Sequence, residues 1–251
     1  MICWQTGIAL RDGSFPFSAH FLPMKNLLCI FTISACAFGT AMAADAQPTA
    51  AEASKGLQTA MTSLVDQAVA TASDANTADA ELSISLPGKL AKLESTLRSA
   101  GQGQLVDDFK AKLKSVAVQT LPLTSDAFKS ATSEVKCDDP LTVLKTAPDG
   151  VTVYTKQHTR QPIVTQVLPM VTAKSKEAGV AASYQAMVAK AGPFAASMFG
   201  KQPPADLDQY VTEQTVDFVY GQMGKGESAL RANPSLSKDA LVKKFFSAVK
   251  K

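Results

Sequence analysis

The sequence predicts an all-α fold, a single-domain multi-helix antiparallel bundle of about eight to ten helices, and three observations predict it. Apolar residues recur at helical spacing along almost the whole chain beyond residue 54. The breaks between these stripes are short, two to eight residues, which suits helices packed against their neighbours. The one stretch of strand-like composition, Val151-Thr152-Val153-Tyr154-Thr155, has no partner to pair with, so it reads as helix or extended loop.

The first 43 residues stand apart. Met24 to Ala43 opens on Met-Lys-Asn, continues through the apolar LLCIFTISACAF and closes on Ala41-Met42-Ala43, the small-x-small pattern that signal peptidase recognises at Ala41 and Ala43. Residues 24–43 therefore read as a signal peptide, and 1–23, with Trp4, Pro16, His20 and Pro23, as an upstream extension that no such signal needs. A competing processing site is Ile33-Ser34-Ala35-Cys36, a lipobox in which Cys36 becomes an acylated N-terminus. Its apolar core, counted from Met24, is the shorter of the two. Cleavage after Ala43 is the favoured reading, so the expected location is the periplasm, with a lipoprotein anchored at Cys36 as the alternative, and the apolar run is too short to span about 30 Å of hydrocarbon after processing.

Removal of residues 1–43 takes Arg11, Lys25 and Asp12 with it, so 25 basic and 22 acidic residues become 23 and 21. A chain this close to balance lacks the dense basic face that nucleic acid requires. Three of the four cysteines leave as well, and Cys137 remains. Alone it forms no internal disulfide, so it reads as buried or idle.

Residues 44–53 form a loose leader, and 54–251 the domain. Ser54 is placed to cap a first helix with Leu57, Met61, Leu64, Val65, Ala68 and Val69 on one face. The polar SDANTADAE interrupts. Pro87 or Gly88 opens the next helix, with Leu90, Leu93 and Leu97 inward. Gly101-Gln102-Gly103 is a hinge, lacking the Gly-Lys-Ser/Thr of a phosphate cradle. Leu105, Phe109, Leu113 and Val116 follow, with Asp107 and Asp108 expected in the first turn, where negative charge suits the helix dipole. Two short helices come next, Ser125 to Val135 and Asp139 to Thr146, the latter with Asp139 as cap and Pro140 at its first position.

From Gln161 the pattern resumes with Ile163, Val167 and Val171, with Pro169 a candidate kink and Gly179 the stop. Tyr184, Met187 and Val188 mark a helix ended by Gly192-Pro193, and Phe194, Met198 and Phe199 a shorter one. After Pro203-Pro204, Asp206 and Gln209 form a capping-box variant. The helix they start carries Leu207, Tyr210, Val211, Phe218 and Val219 and is expected to break at Gly224 and Gly226. Asn233-Pro234 makes a turn. Ser237 caps the last helix, where Leu241, Val242, Phe245, Phe246 and Val249 oppose Lys243, Lys244, Lys250 and Lys251.

Ile84–Phe109 (ISLPGKLAKLESTLRSAGQGQLVDDF), Val167–Val171 (VLPMV), Asp206–Tyr220 (DLDQYVTEQTVDFVY), the LRANP that follows and LVKKFF near the end are ordered and spaced as in one bacterial exported family. From about residue 54 to 251 the chain resembles the family catalogued as domain of unknown function 4197. It departs from the family after Phe109, where LKSVAVQT replaces an Asn-Arg-Ala-Ala-Glu-like stretch, and before Ile84, where a Gly-Phe element is missing. The resemblance implies fold and export. It implies no activity, because the family has none assigned.

Chemistry-bearing residues are few. Beyond residue 43 there is one histidine, His158, between Lys156 and Arg160, and it reads as a surface residue. No Cys/His set for a zinc site and no nucleophile–base pair is visible, so no cofactor and no enzymatic activity are expected. Asp206, Asp208 and Tyr210 form the most site-like cluster. Helix capping explains the two aspartates, and a calcium loop wants about six oxygens. Leu230-Arg231-Ala232-Asn233-Pro234 is either a helix stop or a recognition surface. Asp206, Asp208, Tyr210, Arg231 and Asn233 are thus the candidate interaction residues.

The reading is an exported binding protein whose partner is an unknown envelope protein. One alternative is a carrier holding a lipid-like ligand among Met170, Met187, Met198 and Met223. Another is a carboxylate hydrolase using Asp206 or Asp208. Peripheral membrane contact is expected through the basic C-terminal helix, if anywhere.

Overall fold

Two long helices that run antiparallel set the architecture of the computed structural model, which describes residues 48–192 and 206–248 together with Ala195, Phe199, Pro203 and Pro204. All of these fall in one compact unit, Asp45–Lys251. The chain is all-α, with no strand among the described residues. The helices are α1 (Ala50–Ser73), α2 (Ala75–Glu81), α3 (Gly88–Ser99), α4 (Gly103–Thr120), α5 (Ser125–Ser133), α6 (Pro140–Thr146), α7 (Gly150–Glu177), α8 (Val180–Lys190), α9 (Leu207–Ala232) and α10 (Ala240–Ser247).

Three bonds show how α7 and α9 align: Thr152 meets Glu227, Thr159 meets Tyr220, and Arg160 meets Asp217. As numbers rise along α7 they fall along α9. The same reversal joins α1 to α5, where Gln58 reaches the Thr132 carbonyl and Asp66 pairs with Lys129. Helices α3 and α4 form a hairpin pinned by Arg98, which bonds Glu94 and, at 2.6 Å, Asp107.

Several starts and stops differ from expectation. Helix α1 begins at Ala50, inside the expected leader, because Thr49 and Glu52 make a reciprocal capping box and Ser54 lies within the helix. SDANTADAE yields a short helix capped by Asp74, whose carboxylate accepts from the Thr77 N–H. Asp107 and Asp108 sit beyond the first turn, since α4 starts at Gly103. Asp139 and Pro140 open α6 as expected. Gly179 stops α7 at φ +67°, a conformation that costs glycine little. Helix α7 passes through Pro162 and Pro169, both exposed. For α10 the cap is Asp239, accepting from the Leu241 and Val242 N–H groups, while Ser237 accepts from Asp239 itself.

The core runs the length of the bundle. The α1 stripe meets α9 and α10, where Phe245 and Phe246 are 1% and 0% exposed. The apolar face of α10 is therefore spent on the bundle interior. Glu52 and Lys244 latch α1 to α10 at 2.8 Å, and Lys244 with Thr49 holds the Glu52 carboxyl down to about 2. No described helix is long and apolar enough to cross a membrane.

Candidate functional site

The strand-like Val151–Thr155 becomes helix because another helix supplies its cap. Asp149 precedes α7 but makes no side-chain cap bond. Glu227, on α9 and 0% exposed, does so instead: Oε1 accepts the Val151 N–H at 3.0 Å, and Oε2 accepts the Thr152 N–H at 2.7 Å and its hydroxyl at 2.8 Å. These are orphan donors at a positive helix end, where a carboxylate is favoured. Further along, Thr155 and Thr159 turn their hydroxyls onto the carbonyls four residues back, so the β-branched run adds no unpaired polar group.

A buried carboxylate needs a counter-charge, and Arg231 provides it. Its Nε and Nη2 donate to Glu227 at 2.9 and 2.6 Å, and its Nη1 donates to the Leu144 carbonyl at 2.7 Å. The guanidinium also lies 6.0 Å from the Phe246 ring centroid. One ion pair thus ties α6, α7, α9 and α10. Gly150 completes the joint, since a Cβ there would stand 2.2 Å from the Val143 carbonyl oxygen.

Farther along the seam, Arg160 grips Asp217 with two bonds of 2.9 and 3.0 Å and reaches Glu213, while Lys156 pairs with Asp217 at 3.0 Å. Burial pushes the Asp217 carboxyl up, but Arg160 and Lys156 prevail and hold it below its ordinary value. The Tyr220 hydroxyl bonds Thr159 at 2.6 Å, and burial pushes it up to about 12.

The outer side of α9 is different. Gly221, Gly224 and Gly226 do not break the helix, because α1 and α7 hold it by packing along both flanks. Gly226 has a packing reason: a Cβ would press Leu64 at 3.3 Å. Gly224 would meet only Thr152, at 3.9 Å, and Gly221 would meet nothing. These two glycines floor an open groove of about 640 Å³, walled by Pro148, Asp149, Thr152 and Ser228. Lys225 closes one end and is held by Glu81 of α2, which also accepts from Gln222 at 2.6 Å.

The candidate residues read from the sequence do not form one surface. Asp206, Asp208 and Tyr210 lie at the start of α9 and Arg231 and Asn233 at its end, about 35 Å away at the rise of an α-helix. Asp206 holds the N-cap position without a side-chain cap bond, and Gln209 donates to Glu213, so the expected capping box is not made. Tyr210 is half-buried against the core. Arg231 is turned inward, and Asn233 accepts from the Ser235 N–H. A smaller cavity of about 370 Å³ adjoins Asp206, between Pro204 and the start of α3.

His158 is exposed, its Nδ1 at 2.8 Å from the Tyr154 carbonyl and its ring against the Tyr154 ring. Cys137 is half-buried and free. Met187 and Met223 are each 1% exposed and pack into the core. Among the described residues no group of three His, Cys, Asp or Glu side chains converges as metal ligands would. The signal-peptide residues, including Cys36, Ala41 and Ala43, lie outside the described residues, as do Pro193, Phe194, Met198, Val249, Lys250 and Lys251. Glu227 and the Gly221–Gly224 floor were not among the candidates. The signals available were a glutamate four residues before an arginine, and glycines whose usual reading is a helix end.

A family model described as "Protein of unknown function (DUF4197)" matches residues 47–247. No curated protein and no solved structure matches.

Proposed function

This chain belongs to the DUF4197 family, and we propose that it is an exported envelope protein that acts by binding another envelope protein rather than by catalysis. The observation that carries this reading is the pair Gly221 and Gly224. A mid-helix glycine costs roughly 1 kcal/mol relative to alanine. Neither glycine has a positive φ or a packing contact that would exclude a methyl group. Their place in mid-helix makes sense if the space above them is occupied by a partner, and the groove they floor is the binding face. The Asp149 carboxylate on its wall, which makes no cap bond to α7 and no ion pair among the described residues, selects for a partner that offers a hydrogen-bond donor or a cation.

Export places the mature protein, beginning at Ala44, in the periplasm. The density of the polar seam supports a binding role over hydrolysis, since Glu227, Arg231, Arg160 and Asp217 are all engaged with one another or with backbone. The packed positions of Met187 and Met223 favour a filled core over a lipid carrier.

The test is a pair of measurements on protein expressed from Met24 and recovered from the periplasm. Native mass spectrometry should give a bare chain starting at Ala44, whereas a persistent lipid-sized adduct would favour the carrier. Gly221→Leu with Gly224→Leu should raise the thermal melt or leave it no lower, because helix propensity improves, and abolish in-cell cross-linking to the envelope partner. A partner cross-linked equally by both proteins would remove the groove from the reading.

A further inference from the structure

The flank of α9 that faces α1 carries a second cavity, separate from the groove on the α7 side. It holds about 510 Å³ and is lined by Ser63 and Gln67 of α1, Gly226 and Leu230 of α9, and the turn 236–239 that leads into α10. Gly226 shapes its floor. A Cβ there would stand 3.3 Å from Leu64 and 3.4 Å from the Gln67 Oε1, so glycine lets the carboxamide lie against α9. A space of this size suits a small ligand.

The lining is mixed in character. Leu230 and Leu236 make one side apolar, and Leu236 is 61% exposed, more than any other large hydrophobic side chain among the described residues. The side chains of Ser63, Gln67 and Lys238 make no hydrogen bond or ion pair among the described residues. Asp239 is the one acid of the lining, and its carboxylate is committed to α10, accepting from the Leu241 and Val242 N–H groups at 2.7 and 3.0 Å. Its charge is set against the positive end of that helix. Lys238 is left as the uncompensated charge.

We infer that this cavity binds the C-terminal end of a short peptide whose last residue is aliphatic. Each part of such a ligand has a counterpart. The Lys238 ammonium takes the carboxylate, and Leu230 and Leu236 take the aliphatic side chain, which gives Leu236 the burial it lacks in the free protein. The Gln67 carboxamide both donates and accepts, matching a peptide N–H and C=O, and the Ser63 hydroxyl serves either role. A fatty acid meets only the lysine and the leucines. Its chain would desolvate the carboxamide and the hydroxyl without bonding them, which is costly. The site goes beyond the protein-binding reading of the Gly221–Gly224 groove and does not rest on it, since α9 turns Gly224 to Thr152 of α7 and Gly226 to Leu64 and Gln67 of α1.

The test titrates the mature chain, by calorimetry, with N-acetyl-alanyl-leucine, with the same dipeptide as its C-terminal amide, and with hexanoate. The acid should bind saturably and the amide about fivefold more weakly, the worth of one solvent-accessible ion pair. K238Q should bring the acid down to the affinity of the amide and leave the amide unchanged, a result that a merely structural lysine would not give. S63A/Q67A should weaken acid and amide alike by about tenfold, because the peptide hydrogen bonds are lost from both. Ala229 is exposed and also lines the cavity, so Ala229→Phe should fill it and abolish binding. All three variants should melt as the wild type. Equal affinity for acid and amide would overturn the assignment of Lys238, and hexanoate binding as well as the dipeptide would overturn the peptide in favour of any aliphatic carboxylate. No binding by the wild type would overturn the site itself. The groove variant Gly221→Leu with Gly224→Leu should bind the dipeptide as the wild type does, so failure of the groove reading and failure of this one give different results.

Discussion

The two ends of α7 show opposite uses of charge. At its start, Glu227 is fully buried and Arg231 largely so, and the carboxylate and guanidinium bond each other and backbone groups of α6 and α7. At its finish, Lys176 is exposed and makes no ion pair among the described residues, and Lys112 and Lys174 bond a carbonyl and a neighbouring glutamate. The first arrangement is specific because a buried charge is very costly without its partner. The second contributes little to the fold, since solvent screens it and exposed pairs are worth well under 1 kcal/mol on average. Charge at the start of α7 belongs to stability, and charge at its finish is left in solvent.

The contrast breaks most sharply at Glu227. Glu227→Ala strands the Arg231 guanidinium and uncaps α7, and is expected to destabilise the protein by about 3–5 kcal/mol. Chemical denaturation measures it, and a loss below about 1 kcal/mol would mean that the seam is not the keystone of the bundle. Gly150→Ala acts at the same joint by a different route, driving a methyl group into the Val143 carbonyl. Displacing α6 to relieve it should cost roughly 1–3 kcal/mol.

On the outer side of α9 the sign reverses. Gly221→Ala should stabilise by about 0.5–1 kcal/mol, because helix propensity improves and nothing lies in the way. Gly226→Ala, pressed by Leu64, should fail to share the gain. A destabilised Gly221→Ala would show that the groove is narrower than its walls indicate.

The smallest effect concerns the latch between α1 and α10. Glu52 titrates near 2, below its ordinary 4.5, because Lys244 and Thr49 favour its ionised form. A depressed carboxylate contributes stability above its unfolded value and loses it as pH falls toward the folded one. The difference in melting temperature between wild type and Glu52→Gln should therefore be constant above about pH 5 and shrink between about pH 4.5 and pH 2. A gap that persists at pH 2 would assign the effect to packing instead.

Much of this was legible in the chain. The Leu90–Leu93–Leu97 stripe, the Asp139-Pro140 start and the Gly179 stop are local features, fixed by the helical period, by a side chain reaching its own backbone and by a backbone angle that glycine accepts. Thr49-Ala-Ala-Glu52 is equally local and readable as a capping box, although Ser54 lies closer to the apolar stripe. Val151–Thr155, left open between helix and extended loop, and α9, expected to break at its glycines, share a different property. Val151–Thr155 is helical because Glu227, some 75 positions away, supplies the cap, and α9 continues through three glycines because α1 and α7, distant in sequence, supply the packing.

The candidate site follows the same division. Asp206, Asp208 and Tyr210 are neighbours in sequence and were found together, but Arg231 and Asn233 are separated from them by the length of α9. What the sequence by itself determined is helix content, the short connections and the faces that must be buried, because these depend on period and on contacts within a few residues. Only the tertiary structure decided that Arg231 is an internal counter-ion, that Gly221 and Gly224 floor an open groove, and that Ser63, Gln67 and Lys238 line one cavity. Burial and long-range pairing are properties of the assembled bundle. A glutamate buried against a helix N-terminus and a glutamate in water are the same letter until the second helix arrives.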